Sequence, residues 1–189
     1  LARNLIAQGV GAERVTRLIS ELNDQLAEHL INHVLADKVP VGVRWCWLAL
    51  GSEGRLEQTL CTDQDNGLIF SVPPDASADD IRAVLLPLAR EINEHLAECG
   101  FPLCNGNVMA SNPQWCLSEA EWRDTFADWL FRGDAPVLLN ATIFFDFRGL
   151  AGDLSLTNDL RVWLNARAKD SRPFLRAMTV NALANRPPL

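Results

Sequence analysis

Apolar residues recur at three- and four-residue steps along residues 12–35, which is the spacing of one face of an α-helix. A second helix is predicted from the N-cap pattern at Ser77 to about Glu98. Residues 154–168 and 173–185 have the same helical period near the end of the chain. The apolar stripe of residues 12–35 could cover either its own domain or a partner.

Another helix is predicted to follow Ser118, which forms a capping box with Glu121. Trp122, Phe126 and Trp129 then follow at positions i, i+4 and i+7. Three aromatic residues at this spacing share one helix face, so we expect them to be buried in the core rather than to form a platform for stacking bases.

Three short apolar runs are predicted to form β-strands. They are residues 43–50, residues 67–72 and residues 141–147. The dipeptide Asn105-Gly106 lies between two short apolar stretches, a pattern that favours a two-residue hairpin turn. Helices and strands are therefore interleaved along the chain.

Composition narrows the classes of function. The 189 residues carry a net charge of -7, which argues against a protein that grips long DNA or RNA. A nucleotide remains a possible ligand if magnesium supplies the positive charge. The five cysteines are an odd number spread through apolar segments, which favours a reducing cytoplasm. No apolar run approaches the roughly 18 residues of a membrane span.

The strongest chemical pattern is a Gly51-Ser52 turn followed, after ten residues, by Asp63-Gln64-Asp65. In extended chain the side chains of residues i and i+2 share a face, so the two carboxylates would point one way and Gln64 the other. Two neighbouring carboxylates repel each other unless a cation lies between them. Mg²⁺ commonly uses one or two carboxylates together with substrate phosphates.

Asp146 lies in the apolar run 141–147, where an unpartnered carboxylate is costly to bury. It therefore needs an arginine or a metal. If the strands that carry Asp63, Asp65 and Asp146 lay side by side, three carboxylates could hold two metal ions for a phosphoryl displacement. Arg55 follows the Gly-Ser turn closely enough to reach the same phosphates.

Simpler interpretations of the same residues remain open. A Gly-Ser pair is common in turns, and an Asp-x-Asp pair is common in solvated loops. Asp146 could pair with Arg148 or another arginine. Arg55 could bridge Glu57 or another acid. Glu53 and Glu57 are expected to be solvated or to lie behind the ligands rather than to bind metal.

The run GSEGRLEQTLCTDQDNGLIF resembles the signature of the nucleotidyltransferase superfamily typified by DNA polymerase beta. Its fuller pattern, G-S-x-G-R-x-E-Q-x-x-x-T-D-Q-D-N, is similar to a bacterial branch of that superfamily. Members of this branch often follow cyclic-nucleotide-binding and CBS modules, and they are distantly like the uridylyltransferase of the signalling protein PII. The segments CNGNVMASNPQW, EWRDTFADWL and IFFDFRGLAGD also resemble this branch.

The resemblance implies an α+β fold with a small mixed β-sheet flanked by helices and extended by helices at both ends. It implies that Gly51 and Ser52 bind a nucleoside triphosphate. Asp63, Asp65 and Asp146 would bind Mg²⁺, or Mn²⁺ in its place, as two ions with the bound nucleotide. An acceptor hydroxyl would attack the α-phosphorus and release pyrophosphate. The acceptor is unknown, and the acidic chain favours a protein or small molecule over nucleic acid.

Three regions are expected along the chain. Residues 1–40 form a helical lead-in, residues 41–153 the catalytic core, and residues 154–189 helices that could begin an acceptor-binding domain. The chain starts at Leu1 without a methionine, so we expect a fragment of a longer protein or a trimmed form of it. The alternative function is a nucleotide-binding regulatory or dimerisation module without turnover.

Overall fold

The structure, a computed structural model, describes residues 2–59, 62–132 and 143–184. It contains these helices: α1 (Ala2–Ala7), α2 (Ala12–Leu35), α3 (Gly51–Gly54), α4 (Ala78–Glu98), α5 (Glu119–Arg132), α6 (Ser155–Ala168) and α7 (Arg172–Ala184). It contains these strands: β1 (Trp45–Ala49), β2 (Asn66–Phe70), β3 (Cys116–Ser118) and β4 (Arg148–Gly152). No helix in the described residues is long and apolar enough to cross a membrane.

The four strands form one mixed sheet in the order β3-β2-β1-β4. Strand β1 is antiparallel to both of its neighbours, whereas β2 and β3 are parallel. Ala49, the last residue of β1, therefore pairs with Asn66 at the start of β2 and with Arg148 at the start of β4. This topology brings the end of one strand and the starts of two others to the same edge. The predicted α+β fold with a small mixed sheet flanked by helices is confirmed.

Helices cover both faces of the sheet, so the side chains of β1 alternate between two apolar clusters. Trp47 and Ala49 pack with α2 and α4, whereas Cys46 and Leu48 pack with α5, α6 and the start of α7. A strand with both faces covered reads as a continuous apolar run. This explains why the segment around β1 was identifiable from the sequence.

The predicted helices agree well with the observed ones where local signals were strong. Helix α2 has the predicted bounds, and Ile31 on it is fully buried against the sheet. Leu22 and Leu26 remain 47% and 41% exposed, so only part of the expected stripe covers the chain's own core. The predicted N-cap and capping box are also confirmed: the backbone N–H of Asp80 donates to the hydroxyl of Ser77 at 3.1 Å, and Ser118 and Glu121 cap each other reciprocally.

Two sequence predictions are wrong. A strand was expected over residues 141–147, of which 141–142 lie outside the described residues. In the described part, residues 143–144 are helical and residues 145–146 form a turn. The strand β4 starts only at Arg148. The turn at Asn105-Gly106 exists, but its neighbours in residues 101–110 form no strands. In both places apolar residues pack into the core without regular pairing, and periodicity does not distinguish that arrangement from a strand.

A network of three buried amide side chains holds the start of β2 in place. The amide of Asn93 on α4 donates to Gln64 Oε1 at 2.8 Å and to Asn66 Oδ1 at 3.1 Å. The amide of Gln64 donates in turn to the carbonyls of Asn93 and Phe101. The Oδ1 atom of Asn93 accepts from the backbone N–H of Ser111 at 3.1 Å. Every member is buried and bonded, so the network rigidifies this part of the fold.

We predict that Asn93→Ala destabilises the protein by about 2–4 kcal/mol, because it removes the donor to buried Gln64 Oε1, one of the two donors to Asn66 Oδ1, and the acceptor of the part-buried Ser111 N–H. Urea unfolding followed by circular dichroism measures the change. Glu94→Ala, an exposed position on the same helix, is the control and should change stability by less than about 0.5 kcal/mol. Equal stabilities for the two variants would contradict the role of the network.

Candidate functional site

The candidate site lies at the edge of the sheet where β1 ends. The backbone N–H of Leu50 donates to the carbonyl of Asp65 at 3.0 Å, which extends the β1–β2 pairing by one residue. The chain then turns sharply at Gly51, whose φ of +54° suits glycine. A Cβ at Gly51 would lie 3.3 Å from Asp65 Oδ2. The Gly51-Ser52 turn and the Asp-x-Asp segment are therefore in direct contact, as their order in the sequence suggested.

The Asp63-Gln64-Asp65 segment alternates as expected for extended chain just before β2. Gln64 is buried in the amide network, Asp63 is exposed, and Asp65 is half-buried. Burial raises the pKa of Asp65, and the nearby charge of Asp63 raises it further, while the thiol of Cys104, which donates to Asp65 Oδ1 at 3.2 Å, opposes the rise. The two carboxylates therefore repel each other on one face, which is the arrangement that a cation stabilises.

Asp146 lies in the turn before β4, on the opposite side of β1 from Asp65. The three-carboxylate arrangement assumed that the strands carrying these acids lie side by side. In the structure, β1 lies between the two strands that follow them. Gly54 packs so closely against this turn that a Cβ there would overlap the backbone oxygen of Asp146. The last residue of α3 therefore has to be glycine for the two segments to meet.

Arg55 holds the carboxylate of Asp146. Its Nη1 atom donates to Asp146 Oδ2 at 2.9 Å, and its Nε atom donates to Glu57 Oε2 at 2.7 Å. Both simpler interpretations of these residues are therefore realised in the structure: Asp146 pairs with an arginine, and Arg55 bridges Glu57.

The structure brings Asp63 and Asp65 together but directs Asp146 towards Arg55. In the part of the chain that the structure describes, no three acidic, histidine or cysteine residues form a group that could hold a metal ion. The Asp63–Asp65 pair alone still fits Mg²⁺, because it offers carboxylate oxygens, which this ion prefers. The tight turn at Gly51, which has no side chain, is buried directly next to Asp65, and Ser52 beside it is partly exposed.

Glu53 lies in the same site, where the sequence pattern favoured a solvated side chain or one behind the ligands rather than a metal ligand. It lies in α3 and is only partly exposed. Burial raises the pKa of Glu53 to about 8, and the charges of Asp24 and Asp65 add to the rise, while Arg148 opposes it. Arg148 donates to Asp24 Oδ1 at 2.8 Å and to the carbonyl of Glu53 at 3.0 Å. The position of Glu53 inside the Gly-rich turn was the available signal, but its contact with α2 is long-range.

The family described as "Putative nucleotidyltransferase DUF294" matches residues 1–135. The chain belongs to this family. The matched segment contains the Gly51-Ser52 turn, Arg55 and the Asp63–Asp65 pair, whereas Asp146 lies beyond it. Comparison with curated proteins and with solved structures found no significant match. Membership of this nucleotidyltransferase family agrees with the mixed α/β architecture and with the general kind of activity that the motif implies.

We predict that Gly54→Ala destabilises the protein by about 1–3 kcal/mol, because the added methyl group overlaps the backbone of Asp146 and lies 3.1 Å from the carbonyl of Ala49. Thermal unfolding measures the effect. Gly106→Ala is the matched control, since Gly106 has no positive φ and a Cβ there would meet its neighbours only at ordinary contact distances of 3.6 Å or more. A Gly54→Ala variant as stable as the control would show that α3 and the turn at Asp146 are not in close contact.

We predict that Glu53 makes the metal-free protein less stable as pH rises. Its pKa is higher in the folded protein, at about 8, than its ordinary value of 4.5. The folded state thus binds the extra proton between these values, and stability falls as pH rises from about 4.5 to about 8. In Glu53→Gln this slope should flatten. Melting temperatures in EDTA from pH 5 to pH 8.5 measure this slope. Glu28→Gln, at an exposed position, is the control. Parallel pH profiles for wild type and Glu53→Gln would contradict the prediction.

Proposed function

We propose that the protein is a Mg²⁺-dependent nucleotidyltransferase that moves a nucleoside monophosphate from a nucleoside triphosphate to a hydroxyl group. The observation that carries this proposal is the contact between the Gly51-Ser52 turn and Asp65, next to Asp63, at the end of β1. This contact joins the two halves of the motif that carries the resemblance to nucleotidyltransferases. Mn²⁺ is an alternative to Mg²⁺, because both accept carboxylate ligands.

Each residue has a role in the proposed reaction. The backbone at Gly51 and Ser52 binds the triphosphate, and Arg55 donates to its phosphate oxygens. Asp63 and Asp65 would hold the metal, and Asp146 would complete the set as the third acid. Two bound ions would stabilise the charge on the attacking and leaving oxygens. The acceptor oxygen forms a bond to the α-phosphorus, the bond to the β-phosphate oxygen breaks, pyrophosphate leaves, and Asp146 accepts the proton of the acceptor hydroxyl.

The acceptor class follows from charge. A chain with a net charge of -7 repels the phosphate backbone of DNA or RNA. A protein side chain or a small molecule is therefore the proposed acceptor. We further propose that the protein acts in cytoplasmic signalling in bacteria, as one part of a longer chain that carries cyclic-nucleotide-binding or CBS modules. The sequence resemblance to the branch that includes relatives of PII uridylyltransferase supports this part of the proposal.

A second candidate function is a nucleotide-binding regulatory module without turnover. The specific observation that favours it is the ion pair between Arg55 and Asp146, in which the third acid already has a positively charged partner. The two functions differ in one measurable product. Release of pyrophosphate from a nucleoside triphosphate in the presence of cell lysate, as a source of acceptor, would support the enzyme; nucleotide binding without release would support the module.

We predict that Asp63→Asn/Asp65→Asn abolishes Mg²⁺-dependent binding of nucleoside triphosphates while the fold is kept. Removing two neighbouring charges relieves their repulsion, so the melting temperature without metal should not fall. Calorimetric titration with ATP, GTP, CTP and UTP, each with and without Mg²⁺, measures binding. The matched control is Asp124→Asn/Asp128→Asn, which removes two exposed carboxylates from α5. Failure of every nucleotide to show Mg²⁺-dependent binding to folded wild-type protein would refute the proposal.

A further inference from the structure

Arg55 contacts a residue proposed to bind the metal and is itself proposed to bind the triphosphate. In the structure its guanidinium contacts the carboxylate of Asp146, the proposed third metal ligand, at 2.9 Å. Its own proposed role is to bind the triphosphate. The side chains of Arg55 and Asp146 are 37% and 46% exposed, so a ligand that enters from solvent can reach both.

The backbone fixes Arg55 to the turn that would hold the phosphates. Its N–H donates to the carbonyl of Gly51 at 3.1 Å. The next residue, Leu56, has a φ of +59°, an uncommon conformation for a residue with a side chain, and the chain reverses there. The N–H of Glu57 then donates to the carbonyl of Ser52 at 2.9 Å. Glu57 thereby comes within hydrogen-bond distance of Arg55 Nε, a second contact that limits where the guanidinium can point.

We propose that Arg55 couples the binding of metal and triphosphate: in the free protein it holds Asp146 away from the metal site, and a bound triphosphate draws it off and releases Asp146 to the metal. This inference rests on the proposed function. It agrees with a structure whose described residues contain the Asp63–Asp65 pair but no three-acid group. It also predicts that Arg55 lowers the affinity for metal and raises the affinity for triphosphate.

The strength of the ion pair suits such an exchange. Exposed ion pairs contribute little to stability, so breaking one changes an equilibrium by about two- to fivefold. A triphosphate carries more negative charge than one carboxylate and accepts several hydrogen bonds from the planar guanidinium fork. The phosphates therefore compete well against Asp146 for Arg55. Linkage makes this effect reciprocal: if a bound triphosphate raises the affinity for metal by some factor, a bound metal raises the affinity for triphosphate by the same factor.

The first test measures Mn²⁺ binding to the nucleotide-free protein by electron paramagnetic resonance. Arg55→Met should bind Mn²⁺ about two- to fivefold more tightly than wild type, since Asp146 is then released. In the Asp146→Asn background, Arg55→Met should bring no gain. Arg17→Met is the charge control, because Arg17 pairs with Glu21 on the exposed surface of α2; it should leave Mn²⁺ affinity at the wild-type value.

The second test measures calorimetric binding of inorganic tripolyphosphate at saturating Mg²⁺. Arg55→Met should weaken this binding by about tenfold or more, the effect expected from losing charge-assisted hydrogen bonds, and Arg17→Met should not. Both variants should unfold at temperatures close to that of wild type, because the ion pairs that they lose are exposed.

Three outcomes would overturn the coupling. The first is an Mn²⁺ affinity of Arg55→Met no higher than that of Arg17→Met. The second is an equal gain with and without Asp146, which would indicate a general effect of charge. The third is tripolyphosphate binding that does not depend on Arg55. Absence of Mn²⁺ binding in wild type and Arg55→Met alike would instead refute the proposed function itself, and the coupling with it.

Discussion

The buried amide network of Gln64, Asn66 and Asn93 is the interaction on which the geometry of the candidate site depends. Gln64 and Asn66 point into the protein and are tied to α4, so Asp63 and Asp65, which alternate with them, are directed to the opposite face. Buried amides tolerate no slip of register, since each lost partner costs about 1–3 kcal/mol. The position of the two carboxylates is therefore determined by polar bonds on the other side of the strand.

The sheet topology supplies the second constraint. Because β1 is antiparallel to both neighbours, three segments meet at one edge: the turn at Gly51, the extended segment before β2 and the turn before β4. Glycines at positions 51 and 54 let these segments touch without side chains between them. Apolar burial on both faces of the sheet makes this edge rigid, while the edge itself stays open to solvent and available for polar chemistry.

Local signals in the sequence were sufficient for much of this arrangement, and long-range contacts were not. The bounds of α2 and the caps at Ser77 and Ser118 depend on residues three or four positions apart, and they were predicted correctly. The partner of Asp146 is 91 positions away, and that of Gln64 is 29 positions away. Apolar content around Asp146 predicted a strand, yet burial of aromatic residues such as Phe144 needs only a packed turn there.

The charges around the end of β1 are unevenly compensated, and this imbalance favours a binding site over a purely structural one. Arg148 pairs with Asp24, and Arg55 pairs with Asp146 and Glu57. The pKa of Asp65 is nevertheless raised, because its burial and the nearby Asp63 outweigh the bond from Cys104. A structural ion-pair network would lower the pKa of its carboxyl groups. Carboxylates kept together at a cost to stability are instead characteristic of functional sites, where a ligand supplies the missing charge.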